Sequence, residues 1–139
     1  MTAATEEVGV RIATDDDIVT ARQEGRRLSS ELGFTSTDLT LIATAISEVA
    51  RNIRLYAGRG DVRLRLVREG NREGISVVAR DKGPGIADVD LAMRDGYSSR
   101  GSSGLGLPGA RRLMDEFEIR SKPGNGVTVT MKKWTRGSG

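Results

Sequence analysis

The order of apolar patterns along this chain describes an α+β two-layer sandwich: one mixed, mostly antiparallel sheet with helices on one face. Two stretches, Ile18 to Leu32 and Leu39 to Ile53, carry apolar residues three and four apart and read as amphipathic helices. Val62-Arg63-Leu64-Arg65-Leu66 then alternates strictly, as a half-buried strand does. Two turn clusters, Gly70-Asn71-Arg72-Glu73-Gly74 and Pro123-Gly124-Asn125-Gly126, lie between apolar runs and predict hairpins rather than parallel crossovers.

Each element has its own local signal. Val8 to Ala13 is a short strand. Thr14 caps the first helix, with Asp17 three residues on at the capping-box position. Its stripe is Ile18, Ala21, Gly25, Leu28 and Leu32, and Gly33 ends the run. Thr35 or Ser36 starts the second helix, whose stripe is Leu39, Ile42, Ile46, Val49 and Ile53, and Tyr56-Ala57-Gly58 closes it. Ile75 to Ala79, nearly all apolar, is the second arm of the first hairpin and has the character of a central strand. Asp88 to Met93 reads as a short helix, and Asp95 to Gly106 as a long, mobile Gly/Ser-rich loop. Pro108 suits the first turn of a helix reaching Phe117. Glu118 to Ser121 and Val127 to Lys133 close the chain as a hairpin. No repeat or linker divides it, so a single domain over residues 8–134 is expected between flexible ends at 1–7 and 135–139.

Composition narrows the chemistry. A chain of 139 residues can bury one real core. The 22 basic and 19 acidic residues are interspersed, giving a mixed surface of net charge +3 rather than a polybasic tail. Its one Trp, two Tyr and two Phe are scattered, which disfavours nucleic-acid binding. Without cysteine there are no disulfides, thiol nucleophiles or Cys-ligated zinc, and without histidine no His general base or phosphohistidine. Catalysis then falls to carboxylates, hydroxyls, backbone amides, Lys/Arg and an oxygen-held cation such as Mg²⁺. No run of 18 apolar residues and no signal pattern is present, so a cytoplasmic, membrane-free protein is expected.

Glu48 and Asn52 are stacked one turn apart on the second helix, nearly opposite its apolar stripe. A solvated face would account for them. Leu41, Ala45 and Leu55 on the same side describe a cleft wall instead, where Asn52 could ligate Mg²⁺ and Glu48 could orient or deprotonate a hydroxyl. Asp81 ends an apolar strand just before Gly83-Pro84-Gly85. That is either a plain strand-ending turn or a carboxylate placed to accept from the amino group of adenine, with glycines admitting the planar base.

Gly104-Leu105-Gly106-Leu107-Pro108-Gly109 spells the dinucleotide fingerprint, but it follows a Ser/Gly loop and precedes antiparallel strands, so no βαβ unit surrounds it. What survives is a glycine loop opening a helix, whose free N–H groups suit phosphate. Arg100 within that loop either adds charge near the terminal phosphate or is an ordinary surface arginine.

Taken in order, Glu48-x-x-x-Asn52, Asp81-x-Gly83-x-Gly85 and Gly104-Leu105-Gly106-Leu107 resemble the N box and two glycine boxes of the GHKL superfamily of ATPases and kinases. The resemblance extends to the serine/threonine switch kinases of stressosome modules through Thr14-Asp15-Asp16-Asp17-Ile18-Val19, Ala45 to Ile53, Leu55-Tyr56-Ala57-Gly58 and Leu107 to Phe117. It implies the Bergerat ATP-binding fold, with ATP and Mg²⁺ as cofactors. Asn52 would hold the metal, Glu48 would serve as base towards a protein hydroxyl, and Asp81 would recognise adenine. Gly83 and Gly85 would shape the base pocket, while Gly101, Gly104 and Gly106, with Leu105 between them, would form the ATP lid and phosphate cradle beside Arg100.

The resemblance also implies the partners: STAS-domain proteins as phosphoacceptors, and a downstream enzyme, such as a PP2C-type phosphatase, activated by binding. A non-catalytic anti-sigma-like or activator module, using ATP only for regulation, is the alternative. A gyrase-like clamp would need transducer and dimerisation domains that 139 residues do not accommodate. One position departs from the family: the threonine after the last glycine is Val127 here, and an alternating strand turns Thr128 to the other sheet face.

Overall fold

The computed structural model describes residues 7–85, 93, 106–121 and 123–135. Strand β1 (Glu7–Ile12) leads into α1 (Asp15–Ser29) and α2 (Ser36–Tyr56). The hairpin β2 (Gly60–Glu69) and β3 (Arg72–Asp81) follows, then α3 (Gly106–Leu113), β4 (Glu116–Ser121) and β5 (Val127–Trp134). The sheet order is β1-β2-β3-β5-β4, and all four pairings are antiparallel, so no parallel pair enters the sheet.

The helix starts follow their sequence signals. Asp17's carboxylate accepts the backbone N–H groups of Ala13 at 2.8 Å and Thr14 at 2.9 Å. These bonds hold its carboxyl below the ordinary range. Thr35 is the cap of α2, its hydroxyl oxygen accepting from Asp38 N–H at 3.1 Å. Arg54 ties the end of α2 to the start of α1 through Asp15, 3.2 Å away.

Two helix ends differ from expectation. Helix α1 stops at Ser29, before Leu32 and Gly33, because the Ser30 hydroxyl takes the Arg27 carbonyl at 2.6 Å while Glu31 and Leu32 wind out in i→i+3 bonds. Helix α3 stops at Leu113, not Phe117, because β5 captures the chain. Lys133 Nζ donates to the Leu113 carbonyl at 2.9 Å, and Asp115 N–H bonds the Lys132 carbonyl at 2.9 Å. Strand β4 therefore begins at Glu116. The first hairpin also turns more tightly than expected: Glu69 pairs with Arg72 across the two-residue turn Gly70-Asn71. The expected helix at Asp88 to Met93 lies outside the described residues apart from Met93, as do most of the 95–106 loop and both expected flexible ends apart from Glu7 and Thr135.

Ile12, Leu28, Ile42, Ile46, Ile53, Leu64, Ile75 and Met131 fill the layer between helices and sheet. Burying each large side chain contributes roughly 1.5–3 kcal/mol of transfer free energy. Central strand β3 is accordingly buried from Gly74 to Val77. The opposite face of the sheet is polar, and Arg11, Asp61, Arg80, Thr128 and Arg120 follow one another across it in register.

Candidate active site

Helix α2 is buried on two sides. Its stripe packs on the sheet, while Ala45, Ser47 and Glu48 are also withdrawn from water, with α3 among the elements packed on this helix. Glu48 is therefore not on a solvated face: it is 6% exposed, and both of its oxygens are engaged. Oε1 accepts the backbone N–H of Gly106 at 2.9 Å, and Oε2 lies 3.5 Å from Arg51 Nη1. Burial of a carboxylate demands such partners. The Gly106 N–H is one of the unpaired donors at the start of α3, and the helix dipole favours negative charge there. Gly106 opens the helix at φ +69°, a conformation that suits glycine. Asn52, one turn beyond Glu48, is half-buried, and its amide makes no hydrogen bond among the described residues.

Asp81 ends β3 with its carboxylate divided between two tasks. Oδ1 accepts from Gly83 N–H at 2.9 Å and from Val127 N–H at 3.3 Å, and Oδ2 makes no hydrogen bond among the described residues. The first bond is the ordinary Asp-x-Gly turn; the second pins that turn to the start of β5. Gly83 is pressed against α2, since a Cβ there would lie 2.6 Å from the Ala57 Cβ. Gly126 passes just as close to the strand end, where a Cβ would run into the Asp81 carbonyl. Gly124 N–H closes the arrangement on the Pro84 carbonyl at 2.6 Å.

Among the residues singled out from sequence, the structure brings Glu48, Asn52 and Gly106 to the α2–α3 junction, and Asp81, Gly83 and Gly85 to the end of β3. Arg100, Gly101, Gly104 and Leu105 lie outside the described residues. Val127 is 5% exposed and its side chain joins the core, so its contribution at the Asp81 turn is a backbone N–H; Thr128 alternates to the polar sheet face. Three participants escaped the sequence reading: Arg51, Ala57 and Gly126. Arg51's spacing of three from Glu48 was a usable signal. The tight approaches at Ala57 and Gly126 left none, because they arise between segments distant in the chain.

Comparison with known proteins bears on the family and the fold. Residues 12–133 match the family model described as the histidine kinase-like ATPase domain. The chain is 50% identical over 127 residues to the serine/threonine-protein kinase RsbT of Bacillus subtilis, covering 91% of this chain and 96% of that protein. It is 34% identical over 109 residues to the anti-sigma F factor of Clostridium beijerinckii, covering 75% and 76% respectively. Among solved structures, the RsbU and RsbW domains of a Mycobacterium tuberculosis protein superpose with a TM-score of 0.63 at 22% identity, over 97% of this chain and 34% of that longer one. A mycobacterial sensor histidine kinase, MprB, superposes with a TM-score of 0.55 at 20% identity, covering 96% and 99%. These two likenesses concern the fold alone.

Proposed function

The chain belongs to the histidine kinase-like ATPase domain family and is a serine/threonine protein kinase of the partner-switching kind; on that premise we propose that it phosphorylates a STAS-domain protein from Mg-ATP. In the same reading it then binds and activates a downstream enzyme, such as a PP2C-type phosphatase, and works in the cytoplasm. No helix among the described residues is long and apolar enough to cross a membrane. The observation that carries the catalytic part is the bond from Gly106 N–H to Glu48 Oε1, because it sets a buried carboxylate against a phosphate-binding type of helix end.

Bound Mg-ATP supplies the transferable phosphoryl group and a cation that neutralises its charge. The residues fit such a ligand. Among the described residues the Asn52 amide oxygen is unspent, and no cluster of three His, Cys, Asp or Glu exists to cage a metal by itself. A single amide ligand suits Mg²⁺, which keeps phosphate oxygens and waters. Asp81 Oδ2 is left to accept from the adenine amino group, while Oδ1 keeps the Gly83-Gly85 turn in shape. Gly101, Gly104, Leu105 and Gly106 offer backbone N–H groups to phosphate, and Arg100 adds positive charge. Gly106 N–H, now given to Glu48 Oε1, would serve a bound phosphate equally well, and in doing so would release that carboxylate oxygen. Glu48 would then take the proton from the partner's hydroxyl as that oxygen bonded to the γ-phosphorus and ADP left with the electron pair of the broken P–O bond, with Arg51 holding the other carboxylate oxygen.

Incubating the full chain with a candidate STAS protein and γ-labelled ATP tests this directly. Wild type should transfer label, and Asn52→Ala should not; full transfer by Asn52→Ala would remove the metal role. The likeness to anti-sigma F factors supports one second reading, a module that binds ATP and a partner without turnover. It requires partner regulation to persist unchanged in Glu48→Ala.

A further inference from the structure

The helix-free face of the sheet carries an open basin at the end where β3 terminates, of about 870 Å³. Its floor is Gly9 on β1, where an added Cβ would meet nothing within 4 Å. Around that floor stand Arg11, Arg59, Arg63, Arg80 and Lys82, set against the carboxylates of Asp61 and Asp81. Asp61 is taken by Arg63 at 3.2 Å and Arg80 at 4.0 Å, and Asp81 points Oδ1 at its own backbone turn. Arg11, Arg59 and Lys82 form no ion pair among the described residues. At the other end of the same face the charges are locally matched: Arg72 and Lys132 both pair with Glu69. Unpaired positive charge on this face is therefore concentrated in the basin, with Arg65 on β2 the neighbouring exposed arginine that forms no ion pair among the described residues.

We propose that this basin is a docking surface for an acidic segment of a partner protein, adjoining the nucleotide site at Asp81 but extending from it across the helix-free face of the sheet. Guanidinium groups pair with carboxylates in a two-pronged geometry, and Asp61 already fixes two of them in orientation. The row from Arg11 through Asp61 and Arg80 to Thr128 crosses three strand spacings, about 14 Å, which matches an extended stretch of several residues better than one small anion. Strand β1 is the sheet edge, so Gly9 and Arg11 lie beside unpaired backbone donors and acceptors that such a segment can also use. Nucleic acid is the poorer fit because no aromatic ring among the described residues lines the basin for a base to stack on. The partner-switching reading gives this surface its biological use, but the binding itself is measurable without catalysis.

The test uses the full chain and a fluorescein-labelled 12-residue peptide of Asp and Glu spaced by Ser and Gly, followed by anisotropy at low and moderate salt. Saturable binding that weakens with salt is expected. Arg11→Glu should weaken it roughly tenfold or more, as a reversed charge in a docking surface does. Gly9→Glu should do the same by filling the floor with negative charge in a position that has room for it. Arg22→Glu, the same charge change on exposed α1, should alter affinity less than about twofold, the level of a distant surface charge.

Absence of saturable binding overturns the proposal, as does equal loss in Arg22→Glu, which would reduce the effect to net charge. A single-stranded oligonucleotide of equal charge that displaces the peptide at lower concentration reassigns the basin to nucleic acid. A wild-type dimer in sedimentation that Arg11→Glu dissociates reassigns it to a second copy of this chain. Kinase failure with intact peptide binding would strike the function proposed above and leave this surface standing.

Discussion

Helices α1 and α3 begin in opposite ways. The first turn of α1 contains Asp15, Asp16 and Asp17, and Asp17 closes the helix end on backbone only three and four residues away. The first turn of α3 contains no acidic residue, and its leading N–H is met by Glu48, a carboxylate 58 residues earlier in the chain. A helix that carries its own acids is complete and has nothing to offer an anion. A helix whose partner is borrowed from another element can exchange that partner for a ligand. The one N-terminus serves stability and the other is available for chemistry.

The sharpest way to break this comparison is Glu48→Gln. The amide oxygen still accepts from Gly106, so the melting temperature should hold, while phosphoryl transfer falls by about 10²–10³-fold for want of a base. Single-turnover transfer beside a thermal melt reads both quantities. Retained transfer with a lowered melting temperature would make Glu48 a mere cap, like Asp17.

Asp81→Ala comes next in size. It removes the acceptor shared by Gly83 and Val127 along with the proposed adenine contact. Nucleotide affinity by calorimetry should fall by about tenfold or more, the cost of losing a charge-assisted hydrogen bond. Unchanged affinity would leave Asp81 as a turn residue only.

Asp17→Ala is the mirror experiment. It should lower the melting temperature while leaving turnover per folded molecule intact, since its bonds stay at the β1–α1 junction, on Ala13 and Thr14. Because Asp17's carboxyl is held below its ordinary value by the Ala13 and Thr14 N–H groups, its contribution is fully present above the unfolded value near pH 4. It disappears as pH falls through the lower folded value, so the gap between wild-type and Asp17→Ala melting curves should close in acid. A gap that persists there would assign the stabilisation to something other than the carboxylate.

Val127→Thr should have the smallest effect. Its hydroxyl would sit at the start of β5 beside Asp81, and a roughly threefold gain in nucleotide affinity is expected from one added hydrogen bond. No gain in calorimetry would mean that the backbone N–H already does all that this position contributes.

Much of the fold was legible because its signals act within one helical turn or one strand pleat. Thr14 with Asp17, Thr35, the apolar stripe of α2 and the Val62 to Leu66 alternation each state their element locally, and the structure places each close to where the pattern put it. The misjudged helix ends came from contacts outside that range. Leu113 is stopped by Lys133, twenty residues ahead, which no reading of the α3 segment contains. Gly25 was counted in the apolar stripe of the first helix for its spacing alone. It is a close-approach site, where a Cβ would collide with the Ile46 side chain of α2.

The same division runs through the candidate site. Glu48, Asn52, Asp81 and the glycines could be named from the sequence because their residue types and order survive without coordinates. By itself the sequence determined the elements, the chemistry available without histidine or cysteine, and the family those motifs imply. Only the tertiary structure decided that Glu48 is buried and bonded to Gly106, that Asp81 spends one oxygen on Gly83 and Val127 and the other on no partner among the described residues, and that arginines without an ion pair among those residues gather on the helix-free face. The physical reason is range: caps, turns and periodicity are settled between neighbours in the chain, whereas burial and charge pairing depend on which distant segments packing brings together.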